Sequence, residues 1–212
     1  MKYLALGDSI SIDDYTGVAG GGAAGQFAKL ISATEFQDLT LDGSTTGSVL
    51  QTMALVKIKP EIVTLTAGGN DLLLCSADGP DDATAAVPEH LRVAAAEAVD
   101  NLTQIAERLA RYNCPVIMNT VYDPTDGDDS LAGELGMDAA CRYVFDRINH
   151  AIRSLSAVHG FLLCDLEKLF HGHGFPSAEP WLVHQVEPNH AGATAIAAQW
   201  YALFSRHCRT VS

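Results

Sequence analysis

A serine, a glycine and an asparagine stand in three separate loops in the first part of this 212-residue chain. Gly7-Asp8-Ser9-Ile10-Ser11 offers a hydroxyl, and Gly7 permits a tight exit from whatever precedes it. Asp42-Gly43-Ser44-Thr45-Thr46-Gly47 can expose the Gly43 backbone N–H at a helix start, a natural anion site. Gly68-Gly69-Asn70-Asp71 adds a side-chain amide on a backbone that a bound group can approach closely. Each segment alone also reads as an ordinary turn, with Asn70 or Asp71 capping a helix. Taken together, a hydroxyl and amide donors make a nucleophile and an oxyanion hole, the parts needed for acyl transfer.

Those loops act together only if the fold brings them to one edge. Short β-type runs alternate with longer helical ones along the chain. Strands are expected at Leu4–Leu6, Phe36–Leu41, Ile62–Ala67, Pro115–Val121 and Phe161–Leu166, mostly bounded by Gly, Pro, Asn or Asp. Helices are expected at Ala23–Ile31, Thr46–Val56, Glu89–Tyr112, Leu131–Val158 and Ala191–Phe204. Glu89–Tyr112 is the clearest, with Leu91, Ala94, Ala95, Ala98, Leu102, Ile105, Ala106 and Leu109 at 3-4 spacing. Ser76–Pro88 and Tyr122–Ser130 read as loops. A β-α-β-α order predicts five parallel strands with helices on both faces, a three-layer α/β/α sandwich of flavodoxin-like type. In such sheets ligands bind at the carboxyl ends of the strands, where all three loops fall. No repeat or linker divides the chain, so one domain over residues 1–212 is expected.

These segments resemble the SGNH hydrolases, also called GDSL esterases and lipases. The match is Gly7-Asp8-Ser9 for the family's first block, Gly43 for its second and Gly68-Gly69-Asn70-Asp71 for its third. The resemblance implies ester hydrolysis with Ser9 as nucleophile. It implies the Ser9 amide, the Gly43 amide and the Asn70 side chain as oxyanion donors. The family's last block, Asp-x-x-His before Pro, is altered here to His184-Gln185-Val186-Glu187-Pro188-Asn189. Glu187 stands where the histidine is expected and His184 where the aspartate is. A serine triad is defined by geometry and not by order along the chain. His184 is therefore expected as the base and Glu187 as the carboxylate that orients it. His173, in a glycine-flanked loop, and His190, at the start of the last helix, are rival bases, and Glu187 also reads as a helix cap.

Composition narrows the field further. Lys plus Arg is 13 against 26 Asp plus Glu, a formal net charge of −13, which disfavours nucleic acid and anionic membranes as partners. No apolar run approaches the length of a membrane-spanning helix, so no membrane insertion is expected. The five cysteines lack paired spacing and read as free thiols, which fits a cytoplasmic protein. Gly20-Gly21-Gly22-Ala23-Ala24-Gly25 formally matches a dinucleotide fingerprint, but it begins too far after the first strand and reads as a glycine-rich entry to the first helix. His171 and His173 lack a third ligand at metal spacing. Asp13 and Asp14 read as a solvated loop, Asp8 as an anchor of the Ser9 turn, and Trp181 as either a substrate wall or core packing. The expectation is a serine esterase acting on short-chain acyl or acetyl esters of small molecules or carbohydrates, with no cofactor and no metal. The alternative is a weak or inactive relative that binds a carbohydrate or acyl ligand.

Overall fold

A computed structural model describes residues 1–76, 87–134 and 139–211. In chain order the elements are β1 (Lys2–Gly7), α1 (Ala23–Leu30), β2 (Glu35–Thr40), α2 (Thr46–Thr52), β3 (Ile62–Leu65), α3 (Gly69–Ser76) and α4 (Glu89–Ala110). Then follow β4 (Val116–Asn119), α5 (Asp129–Glu134), α6 (Ala139–His159), β5 (Leu162–Cys164), α7 (Leu166–Phe170), β6 (Leu182–Val183), β7 (Glu187–Pro188) and α8 (His190–Val211). Five strands form one parallel sheet in the order β2-β1-β3-β4-β5. The small β6–β7 hairpin is antiparallel and separate. The fold is the expected three-layer α/β/α sandwich.

Alternation along the strands builds both layers. Leu4, Leu6, Val63, Leu65, Val116 and Met118 face a core shared with α4 and α6. Tyr3, Ala5, Ile62 and Ile117 face the other way, onto Phe27 of α1 and Trp200 of α8. That is the two-residue period of a strand buried on both faces. In α4 the buried residues Leu91, Ala95, Ala98, Leu102, Ile105, Ala106 and Leu109 keep the 3-4 spacing read from the sequence.

Element boundaries differ from expectation for local reasons. The second helix ends at Thr52 and tightens into a 3-10 turn over Met53–Leu55. The fourth expected helix is found as α5 and α6, and residues 135–138 of that stretch lie outside the described residues, as do residues 77–86 of the expected Ser76–Pro88 loop. The last helix runs past Phe204 to Val211. Its apolar period stops at Phe204, while exposed Arg206 and Arg209 continue it in a position that suits a helix C-terminus. No described helix is long and apolar enough to cross a membrane. Among the described residues no disulfide forms, and Cys75, Cys141 and Cys164 are buried.

Buried polar side chains fix the carboxyl edge of the sheet. Trp200 Nε1 donates to Asn119 Oδ1 at 2.7 Å, and Asn119 Nδ2 donates to the Leu65 carbonyl at 2.8 Å. Asn149 of α6 bonds both backbone groups of Val121, each at 2.8 Å. Each bond satisfies a group that would be costly to leave unpaired. The chain leaving β4 toward Tyr122 is therefore held from both layers.

Candidate active site

The site begins where β1 ends. Gly7 has φ of +144°, and a Cβ there would lie 2.1 Å from Thr66 Oγ1, so a side chain would collide with the end of the neighbouring strand. Only glycine lets the two strands lie this close while the chain turns away. Asp8 then caps a single 3-10 turn, Ser9–Ser11, by accepting the Ile10 amide on Oδ1 at 3.3 Å. Thr66 ties the turn to β3, taking the Asp8 amide at 3.2 Å and meeting the Ser11 hydroxyl at 3.0 Å. Asp8 is thus the anchor of the Ser9 turn, as expected.

Two further loops close on this turn. Asn70, in the first turn of α3, donates through Nδ2 to the Ser44 carbonyl at 3.0 Å. Asp71 takes the Thr46 amide at 2.8 Å and its hydroxyl at 2.7 Å, capping α2 from outside. The expected capping role is therefore real and belongs to Asp71, which leaves one N–H of the Asn70 amide for the site. Gly43 has φ of +71° and lies exposed beside Ser44. Among the described residues no hydrogen bond uses the amides of Ser9 or Gly43.

Ser9, Asp8, Asn70 and Glu187 line one cleft of about 430 Å³, with Ile10, Leu72, Val121 and Tyr122 among its apolar walls. Glu187 arrives on β7, which packs against the Ser9 turn. Its carboxyl shares the cleft with Ser9, near enough for the serine hydroxyl to influence its ionisation. Burial pushes the Glu187 pKa up, Ser9 and His184 pull it down, and the charge of Asp42 pushes it up. Burial raises Asp8 to about 7, against the hydrogen bonds from Thr66 and Ile10 and with help from the charge on Glu187. One oxygen of each carboxyl, Asp8 Oδ2 and Glu187 Oε2, is buried with no hydrogen-bond partner.

The histidines fall elsewhere. His184 begins the three-residue connection of the β6–β7 hairpin, exposed and with φ of +49°. Its ring sits edge-on to Tyr15 with centroids 6.0 Å apart, and no hydrogen bond joins it to Ser9. The expectation that His184 stands beside the serine is corrected: Glu187 lines the cleft with Ser9 and His184 does not, because Glu187 pairs with Val183 across the hairpin while His184 lies at the tip. His173 stacks flat on Trp181 at 3.7 Å, with Nδ1 3.3 Å from the Glu179 carbonyl. His190 is exposed at the first residue of α8. Trp181 also packs edge-on against Phe170, which makes it a packing residue of its loop.

Tyr122 was not singled out by sequence reasoning. Its hydroxyl donates to the Val186 carbonyl, fastening the hairpin one residue from Glu187. Nothing in a lone tyrosine after a strand announces that role. The glycine-rich loop is closed by Asp13, which accepts the amides of Gly20 and Gly22. Its donors are thereby used within the chain. Among the described residues no three metal-ligating side chains come together.

A family model, the GDSL-like lipase/acylhydrolase family, matches residues 5–195, so the chain belongs to that family of hydrolases. Solved structures share the fold. An extracellular lipase from Streptomyces rimosus is 21% identical with a TM-score of 0.64, covering 97% of this chain and 98% of that one. An acetyl-xylooligosaccharide esterase from Geobacillus, a mutant form, is 16% identical with a TM-score of 0.68, over 95% and 93%. LAE5, an alpha/beta hydrolase from the metagenome of Lake Arreo in Spain, is 21% identical with a TM-score of 0.66, over 95% and 94%. No curated protein sequence matches.

Proposed function

We propose that this chain hydrolyses carboxylic esters of small molecules or carbohydrates, with a preference for short acyl groups such as acetyl, through an acyl intermediate on Ser9. The observation that carries the reading is the convergence of Ser9 and Asn70 in one cleft, with the Ser9 amide unspent and Asn70 bonded to the Ser44 carbonyl next to Gly43. Ser9 Oγ attacks the ester carbonyl, and the oxyanion that forms is held by the amides of Ser9 and Gly43 and the Asn70 side chain. Such donors, fixed before the reaction, stabilise charge where it develops. Collapse expels the alcohol, and water then releases the acid. The ionisable group of the β6–β7 hairpin that lines the cleft with Ser9 takes and returns the proton. Apolar walls from Ile10, Leu72 and Val121 suit the acyl group in a cleft of modest size.

A second reading, a ligand-binding relative with little turnover, is favoured by one observation: among the described residues no histidine lines the cleft. Hydrolysis of p-nitrophenyl acetate by the wild-type protein and by Ser9→Ala separates the two. Turnover that falls at least about 1,000-fold in the variant supports the esterase, on the scale of losing a nucleophile. A folded wild-type protein without turnover supports the ligand-binding reading.

A further inference from the structure

We infer that Glu187 itself is the base for Ser9, so that the site works through a serine–glutamate pair and no histidine. This deepens the ester-hydrolase reading and rests on it. Ser9 and Glu187 line the same cleft, and β7, which carries Glu187, packs against the Ser9 turn. Geometry of this kind is the first requirement of a base. Each histidine that the sequence offers for the role is engaged or exposed elsewhere: His184 at the hairpin tip beside Tyr15, His173 stacked on Trp181, His190 on the exposed start of α8.

The hairpin is built to hold the carboxyl in place. Val183 pairs with Glu187 across it, and Tyr122 grips the neighbouring Val186 carbonyl. Glu187 Oε2 is buried without a donor, an oxygen that protonation would satisfy. Charged and titratable neighbours come from every side: Asp8 from the Ser9 turn, Tyr122 from the loop after β4, Asp42 from the loop after β2, and His184 from the hairpin itself. Tyr15 joins them at the rim, donating to Asp42 Oδ2 at 2.8 Å. Burial makes Glu187 more basic than an ordinary glutamate, which suits proton abstraction.

The steps balance without any further group. As Ser9 Oγ bonds to the acyl carbon, its proton passes to the Glu187 carboxylate and the carbonyl pair moves onto oxygen. The tetrahedral adduct then breaks its bond to the leaving oxygen, which takes the proton from Glu187. In deacylation Glu187 accepts a proton from water as that water attacks, and returns it to Ser9 Oγ as the acid departs.

The test is p-nitrophenyl acetate turnover between pH 4 and pH 9 for wild type, Ser9→Ala, Glu187→Gln, Glu187→Asp and His184→Ala, with circular dichroism to confirm folding. His184→Ala should stay within about threefold of wild type, while Glu187→Gln should lose about 100-fold to 10,000-fold, the usual worth of a general base. Glu187→Asp should retain part of the activity with its acidic limb displaced from that of wild type. Ser9-dependent turnover that survives in folded Glu187→Gln, or that vanishes in His184→Ala, overturns the inference and leaves the esterase reading standing. If Glu187→Gln fails to fold, an acidic limb unmoved in Glu187→Asp overturns it. A wild-type protein with no Ser9-dependent turnover removes the esterase reading and this inference together.

Discussion

Asp13 and Asp8 lie five residues apart and both sit against glycine-rich backbone, yet the chain treats them in opposite ways. Asp13 has each oxygen taken by an amide, those of Gly20 and Gly22, and its loop leads into α1 as a closed structural unit. Asp8 satisfies one oxygen on Ile10 and buries the other with no partner, in the cleft that holds Ser9 and Glu187. A saturated carboxylate holds a loop shut. An unsaturated one costs stability, and such sites collect where chemistry is done. The difference explains why the glycine run that resembles a dinucleotide fingerprint is scaffold, while the plainer Gly-Asp-Ser turn is the candidate site.

Breaking the contrast from the Asp8 side gives the largest expected effect. Folded Asp8 keeps its proton up to about pH 7, whereas in the unfolded chain it ionises near its ordinary value of 3.8. Between those values the unfolded state is the one that loses the proton. Stability should therefore fall as pH rises, by about 1.4 kcal/mol per pH unit and about 4 kcal/mol at the outside. Urea unfolding of wild type and Asp8→Asn at pH 4 and pH 7 checks this. The variant should lack that part of the slope, and parallel curves would show that Asp8 is not held protonated.

Next in size is the oxyanion side of the site. Asn70→Ala should lower kcat by about 100-fold to 1,000-fold, about 3 to 4 kcal/mol of transition-state stabilisation, with little change in KM. A KM effect alone would place Asn70 in ground-state binding. Smallest is the scaffold side. Asp13→Ala removes two amide bonds to a charged acceptor and should cost about 2 kcal/mol of stability, measured by urea unfolding, while kcat stays within about twofold. Loss of activity beyond the loss of fold would mean that the glycine-rich loop belongs to the site after all.

Much of this arrangement is legible in the chain itself. Strand periods and the α4 stripe give the sheet and its layers, because burial on a regular element imposes a regular pattern. Three loops at the carboxyl edge follow directly from strand order. The hairpin is different. Whether His184 or Glu187 reaches Ser9 depends on a three-residue connection with positive φ at His184 and Gln185, and no hydrophobic period encodes that. The grip of Tyr122 on Val186 spans 64 positions along the chain and has no local signature. Asp13 likewise reads as a solvated loop residue until the glycine amides close around it. Long-range contacts decide these roles, and they exist only in the folded chain.

The account turns on Ser9 as the group that carries the acyl intermediate. Intact-protein mass spectrometry after incubation with a fluorophosphonate tests it most directly, with wild type beside Ser9→Ala. The account predicts one adduct per wild-type chain, mapped by peptide fragmentation to Ser9, and none on the variant. A folded wild-type protein that turns over ester but takes no label, or a variant labelled as fully as wild type, would contradict it.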